Sequence, residues 1–149
     1  MSNNRQSTLF LTSLVTQLID AMVEHEPPEG YYGGFSGGKD SCVIKKLARM
    51  AGVKVEWHYH WTIDPPELVA FIRKHHPDVI FDKPSIHIFQ AIKTKGMPWA
   101  KVRWCCAKLK EVHGKGRIKI FGVRAAESPR RASLWQLWDG KTLAPIVYW

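Results

Sequence analysis

The chain lacks any apolar run approaching the roughly 18 residues of a membrane-spanning helix, which argues against a membrane-embedded protein. Cysteine is scarce: Cys42, Cys105 and Cys106 are the only three. An odd count without a secretory signal argues against a disulfide framework and makes the cytoplasm the expected compartment. The first 25 residues hold an apolar cluster, but Gln17 and Asp20 interrupt it and no small-residue cleavage site follows. They read as an amphipathic helix and not as a signal peptide. Internal repeats and low-complexity segments are also missing. Acidic residues are rare in the last third: residues 93–149 carry thirteen Lys/Arg against three Asp/Glu, whereas residues 1–92 carry nine against ten. The whole excess behind the net charge of +9 therefore lies near the C-terminus, a pattern that suits an anionic partner, either a phosphorylated small molecule or a nucleic acid.

With 149 residues, 45% of them hydrophobic and 23% charged, the chain has the size and composition of one folded domain. Residues 1–30 are expected to hold an N-terminal helix (8–24, ended by Pro27-Pro28), and residues 31–149 the domain proper. "YYGGF" (31–35) reads as a buried strand, "DSCVIKKLARMAG" (40–52) as a helix stopped by Gly52, and "VKVEWHYHW" (53–61) as a second strand. "DPPELVAFIRKHH" (64–76) reads as a helix with Asp64 as N-cap, a proline at its first position, and Asp64 with Glu67 as an approximate capping box. A third strand is expected at 78–81, helices at 85–95 and 104–112, a fourth strand at 117–123, and a fifth at 143–149, entered through Pro145. Strands alternating with helices predict an α/β fold: a Rossmann-like, mostly parallel five-stranded sheet with helices on both faces. Ligands of such sheets bind at the carboxyl ends of the strands.

The stretch "GGFSGGKDSC" (33–42) sits at such an end. A glycine-rich turn between a buried strand and a helix N-terminus offers free N–H groups and a favourable dipole to an anion. Ser36 and Ser41 add hydroxyl donors and Lys39 a point charge. The triphosphatase pattern G-x-x-x-x-G-K-[ST] nearly fits from Gly33 but fails at Asp40, where a hydroxyl should hold Mg²⁺. The dinucleotide pattern G-x-G-x-x-G fails at Ser36.

"SGGKDS" (Ser36, Gly37, Gly38, Lys39, Asp40, Ser41) resembles the PP-loop signature SGGxDS of the adenine nucleotide α-hydrolase-like (HUP-type) superfamily. Three further segments resemble its phosphoadenylyl-sulfate (PAPS) reductase family in bacterial and phage short forms: "TIDPPELVAFIRKHHPDVIF" (62–81), "RWCCAKLKE" (103–111) and "GVRAAESPRRA" (122–132). Residues 31–149 follow the family's order. The second segment keeps Asp64 but lacks the glycine of the better-known reductases. The chain also stops before the C-terminal region in which PAPS reductases carry a catalytic cysteine. The resemblance implies an adenine nucleotide (PAPS, adenylyl sulfate (APS) or ATP) with its anionic end over the loop, near Arg124 and one of Arg130 and Arg131. It further implies a thiol donor such as thioredoxin, and it admits a homodimer.

The other constellations stay open between readings. Arginine's planar fork suits phosphate or sulfate, so Arg124, Arg130 and Arg131 with Ser128 form either an anion clamp or a solvated basic turn, with Glu127 expected to pair with one of them. In the APS reductases a cysteine pair at the place of Cys105-Cys106 supplies two of four ligands to a 4Fe-4S cluster. Here the pair is a candidate for cluster ligation, for catalysis with Arg103, Lys108 and Lys110 lowering a thiol pKa, or for plain burial. Cys42 reads as a small apolar helix residue. His58 and His60 would share one strand face; packing or nucleotide contact is favoured over metal, since no further ligand set is evident. His75 and His76 read as contacts to a helix C-terminus, and His87 and His113 carry no signal.

The expected function is an enzyme of the PAPS/APS reductase type, reducing an adenylyl sulfate to sulfite with a thiol. Alternatives are ATP pyrophosphatase or sulfurtransferase-like chemistry, with Asp40 or Asp64 positioning Mg²⁺, and a nucleotide-binding module completed by a partner. A nucleic-acid partner is less favoured, because the arginines cluster at one strand end.

Overall fold

The computed structural model describes residues 3–61, 63–84, 86–99, 102, 104–105 and 113–149. In chain order the elements are α1 (Asn3–Glu24), β1 (Tyr31–Gly34), α2 (Lys39–Ala51), β2 (Val55–His60), α3 (Pro66–His75), β3 (Ile80–Asp82), α4 (Ile88–Lys95), β4 (Lys119–Ile120), a 3₁₀ turn (Ala125–Glu127), α5 (Pro129–Leu134) and β5 (Thr142–Leu143). The strands form one five-stranded sheet in the order β3-β2-β1-β4-β5, and every pairing is parallel. The protein is an α/β fold with a Rossmann-like parallel sheet flanked by helices, as its alternating pattern predicts. No helix among the described residues is long and apolar enough to cross a membrane.

Strand alternation explains how the sheet divides its two faces. Tyr31, Trp57 and Tyr59 are buried in the main hydrophobic core with Leu18, Met22, Ile44, Leu47 and Ile72. The Tyr31 hydroxyl donates to the Met22 carbonyl at 2.8 Å and so ties β1 to α1. Gly33 is needed beneath Trp57, because a Cβ there would come within 2.5 Å of the indole. The neighbours Tyr32, His58 and His60 belong to the other face, and their rings stack on one another.

Several sequence expectations shift. Asp64 does not cap α3. Pro65, held extended by the following Pro66, is the N-cap, with no side-chain cap bond, which leaves Asp64 one residue too early. The fourth strand is two residues long rather than seven, although Tyr32 N–H still donates to Ile118 and Phe121 N–H to Leu143. The fifth strand is not 143–149. It ends at Leu143, and residues 145–148 form a turn closed by bonds from Val147 to Ala144 and from Trp149 to Ile146. Ala144, Ile146 and Val147 are apolar because this turn is buried. The third strand lies two residues later at its start and reaches Asp82, and α4 starts at Ile88. Of the helix expected at 104–112, Trp104 and Cys105 are helical, and 106–112 lie outside the described residues.

Candidate functional site

Beginning at the central β1, the chain adds β2 and β3 on one side and then returns to place β4 and β5 on the other. The loops leaving β1 and β4 therefore part in opposite directions, and a crevice opens outside their carboxyl ends. A cleft of about 390 Å³ occupies this place. Gly34, Phe35, Ser36 and Ser41 line it from the β1 side, and Phe121, Gly122 and Val123 from the β4 side. Tyr59, His60 and Asp64 close one flank, and Arg131 reaches it from α5.

The loop from Ser36 to Ser41 is a tight bend. Gly37 has φ +74°, a conformation natural to glycine. Ser41, almost fully buried, donates its hydroxyl to the Gly38 carbonyl at 2.8 Å, and Ser36 Oγ accepts the Gly38 N–H at 3.4 Å. Gly38 is the N-cap of α2 and no side chain caps this end, so the first turn presents its N–H groups without a side-chain acceptor. Gly122 lets the end of β4 lie against this turn: a Cβ there would sit 2.9 Å from the Asp40 carbonyl carbon and oxygen. Lys39 opens α2 but is exposed and is not in the lining of the cleft.

The arginine group is partly assembled. Arg124 donates from Nε to Asp40 Oδ2 at 3.1 Å, so the residue that breaks the triphosphatase pattern joins the loop to the segment after β4. Glu127 lies 3.8 Å from Arg124 Nη2 and is ion-paired with Arg131, as its position suggested. Ser128 caps α5 by accepting from Arg131 N–H at 3.2 Å. Arg130 is exposed and is not part of the cleft lining. The structure thus brings Ser36, Ser41, Asp64 and Arg131 into one cleft, sets Gly37, Gly38, Asp40 and Arg124 beside it, and leaves Lys39 and Arg130 outside.

Beside the cleft, the polar face of the sheet carries a network that sequence reasoning missed. His58 is held between two carboxylates, Nδ1 at 2.9 Å from Asp82 and Nε2 at 2.7 Å from Glu56. The His58 hydrogen bond is the main reason the Glu56 carboxyl lies below its usual range. The Tyr32 hydroxyl donates to Asp82 at 3.2 Å and also lies 3.2 Å from His60 Nε2. Burial first, and then the Asp82 charge, push the Tyr32 phenol well above 10. Burial and the Asp64 carboxylate do the same to Tyr59. His113 stacks on His60 with ring centroids 4.6 Å apart. Asp82 lies one residue past the expected third strand, and His113 has no local pattern around it. Only the strand pairing of His60 with Asp82 could have pointed to the first.

A second cluster lies under α2. Lys45 is buried, 2.6 Å from Asp78 and 3.4 Å from His76 Nδ1. Cys42 packs against the core with its Sγ 3.8 Å from His76 Nε2, and burial raises its thiol pKa despite Lys45. That agrees with its reading as a small apolar helix residue. His76 is the C-cap residue of α3, but its ring is engaged here. Cys105 is a half-buried free thiol, and Cys106 lies outside the described residues.

No family model matches this sequence, and no curated protein matches it.

Proposed function

We propose that the chain binds an adenine nucleotide with a sulfated or phosphorylated end in the cleft between β1 and β4, in the manner of the PAPS/APS reductases. One observation carries this reading: the Ser36–Ser41 loop, the uncapped start of α2 and Arg131 meet at the point where the strand order reverses. Peptide N–H groups, the Ser36 hydroxyl and the Arg131 guanidinium provide donors for the anionic end, while Ser41 holds the loop through its bond to the Gly38 carbonyl. Phe35, Tyr59 and Phe121 provide apolar wall for the base.

In this reading a thiolate attacks the sulfur of the sulfonucleotide. An S–S bond forms, the S–O bond breaks, and the nucleotide leaves with the electron pair and a terminal phosphate. A second thiol then attacks the sulfur of the first, forming a disulfide and releasing sulfite. Among the described residues no cysteine lines the cleft, and in this reading a donor such as a thioredoxin-like dithiol supplies the first thiol. The cysteines among the described residues, Cys42 and Cys105, do not fit a four-thiolate cluster. Asp40 is engaged by Arg124, and neither Asp40 nor Asp64 belongs to a trio of potential metal ligands among the described residues; this donor set does not fit a dedicated Mg²⁺ site.

A second reading has its own observation. A cleft of about 470 Å³ at the amino ends of β4 and β5 is lined by Lys115, Arg117, Lys119 and Lys141 and, among the described residues, by no carboxylate. Charge placed away from the loop favours a polyanion such as a nucleic-acid backbone. One calorimetric panel separates the two. Titrations of APS, PAPS, ATP, adenosine 3′,5′-bisphosphate and a single-stranded oligonucleotide are run on the wild type, Arg131→Ala and Lys115→Ala/Lys141→Ala. Loss of one charge-assisted contact, about 1.5–3 kcal/mol, predicts nucleotide affinity about 10- to 100-fold weaker in Arg131→Ala. Affinity for every nucleotide unchanged by Arg131→Ala refutes the cleft assignment. Oligonucleotide binding that is steeply salt-dependent and lost only in the double variant favours the second reading.

A further inference from the structure

We propose that His60, Asp82 and His113 form a site for one divalent transition-metal ion of the zinc class, at the rim of the cleft. Each residue offers one ligand atom, and these atoms lie within 4.8 Å of one another. The three come from separate parts of the fold: the carboxyl end of β2, the carboxyl end of β3 and the segment before β4. Parallel register sets His60 directly beside Asp82, with His60 Nδ1 3.3 Å from Asp82 Oδ2 and both side chains less than a fifth exposed. His113 is brought over His60 by Gly114, whose backbone at φ +63° lies so close to the Tyr32 ring that a Cβ would come within 2.7 Å of it.

Two imidazoles and a carboxylate are a donor set suited to zinc and its neighbours, leaving coordination positions open. Ligand atoms around tetrahedral zinc stand roughly 3.3–3.5 Å apart, from bond lengths of about 2.0–2.1 Å. The trio therefore has to close by up to about 1.5 Å, a movement that falls to the His113 segment because His60 and Asp82 are fixed in the sheet. The residues that orient metal ligands elsewhere have counterparts here. Tyr32 Oη lies 3.2 Å from both His60 and Asp82, and His58 Nδ1 lies 2.9 Å from Asp82. His58, the other half of the pair that the strand spacing singles out, has both nitrogens against carboxylates and serves as an orienting residue. His60 and His113 also line the cleft, so the open positions face the space where a ligand would lie.

The site stands independently of the nucleotide reading, and its test needs no nucleotide. The full chain, stripped of metal by chelator, is titrated with zinc against a chromogenic competitor and with cobalt(II) under visible spectroscopy. One equivalent is expected to bind, without a thiolate-to-cobalt charge-transfer band. His113→Ala should weaken binding by about a hundredfold or more, Tyr32→Phe by about tenfold, and the exposed His87→Ala should leave it unchanged. His113→Ala alters a half-buried segment outside the strands, and its circular dichroism spectrum checks that the fold is intact. No stoichiometric binding, a thiolate band, or wild-type affinity in both His113→Ala and Asp82→Asn would each overturn the proposal.

Discussion

Changing Asp78 to asparagine would leave the Lys45 ammonium buried without its carboxylate, and the size of the effect can be worked from the geometry. Nζ and Oδ1 are 2.6 Å apart, with Lys45 only 5% exposed and Asp78 55% exposed. Two unit charges about 3 Å apart attract by roughly 5 kcal/mol at an effective dielectric near 20. Water and salt around the half-exposed Asp78 screen most of that. Removing one partner of a fully buried pair costs about 3–5 kcal/mol. For a pair buried on one side, a loss of about 2 kcal/mol is expected, or about 4–8 °C in Tm for a chain of this length. Lys45 keeps two weaker partners, the His76 ring at 3.4 Å and the Phe35 face at 5.1 Å, which hold it in place without neutralising it. Lys45→Met preserves the stem and removes the charge, so the double variant Lys45→Met/Asp78→Asn should regain about 1–2 kcal/mol over Asp78→Asn alone. Urea denaturation of the four proteins completes the cycle. A cost under about 0.5 kcal/mol for Asp78→Asn, or strict additivity in the double variant, would refute the reasoning, because the pair would then behave as an ordinary surface contact.

Two further outcomes follow from the same structure. Gly122→Ala drives a Cβ to 2.9 Å from the Asp40 backbone and 3.1 Å from Ser41 N; it should cost about 1–3 kcal/mol in thermal unfolding and weaken any ligand of the loop, while Gly140→Ala, where a Cβ meets nothing within 4 Å but φ is +86°, should lose stability without altering ligand affinity. The second outcome concerns pH. Burial, and then the Lys45 charge, hold the His76 pKa below its ordinary 6.5. The folded state therefore binds fewer protons than the unfolded chain just below pH 6.5, and stability should be full above that value and decline as the pH falls through the lowered pKa, at no more than about 1.4 kcal/mol per pH unit. Subtracting the urea-derived profile of His76→Gln from that of the wild type isolates this slope; identical profiles would show that the ring does not contribute. Burial opposes ionisation of Asp78, but the Lys45 hydrogen bond and charge outweigh it and keep the carboxyl below 3.8, so its contribution is lost only at still lower pH.

A short apolar, aromatic run was enough to place β1 and the alternation of aromatic and β-branched residues to place β2, and Gly52 marked the end of α2 at the residue where the chain turns left-handed, φ +72°. Those features are local: they depend on side-chain period and on the backbone freedom of one residue. Ser36 to Ser41 was readable for the same reason, since glycines and hydroxyls between a strand and a helix constrain one short loop. The errors fall where a neighbour decides. Residues 143–149 look like a strand because they are apolar, but a buried turn needs the same composition, and only the packing tells the two apart. Asp64 has the right chemistry for a cap and the wrong position, because one proline restricts the residue before it.

What the sequence determined by itself was the parallel α/β architecture, the glycine-rich loop between a strand and a helix, and the bias of positive charge toward the last third. Tertiary structure decided the partnerships. It chose Arg131 over Arg130 for the cleft and paired Asp40 with Arg124 outside the carboxyl ends of β1 and β4. It also gathered His60, Asp82 and His113 from positions up to 53 residues apart. Loop chemistry is written in consecutive residues, whereas these meetings are set by strand order and register, which bring distant positions within hydrogen-bonding distance without leaving a local pattern in the sequence.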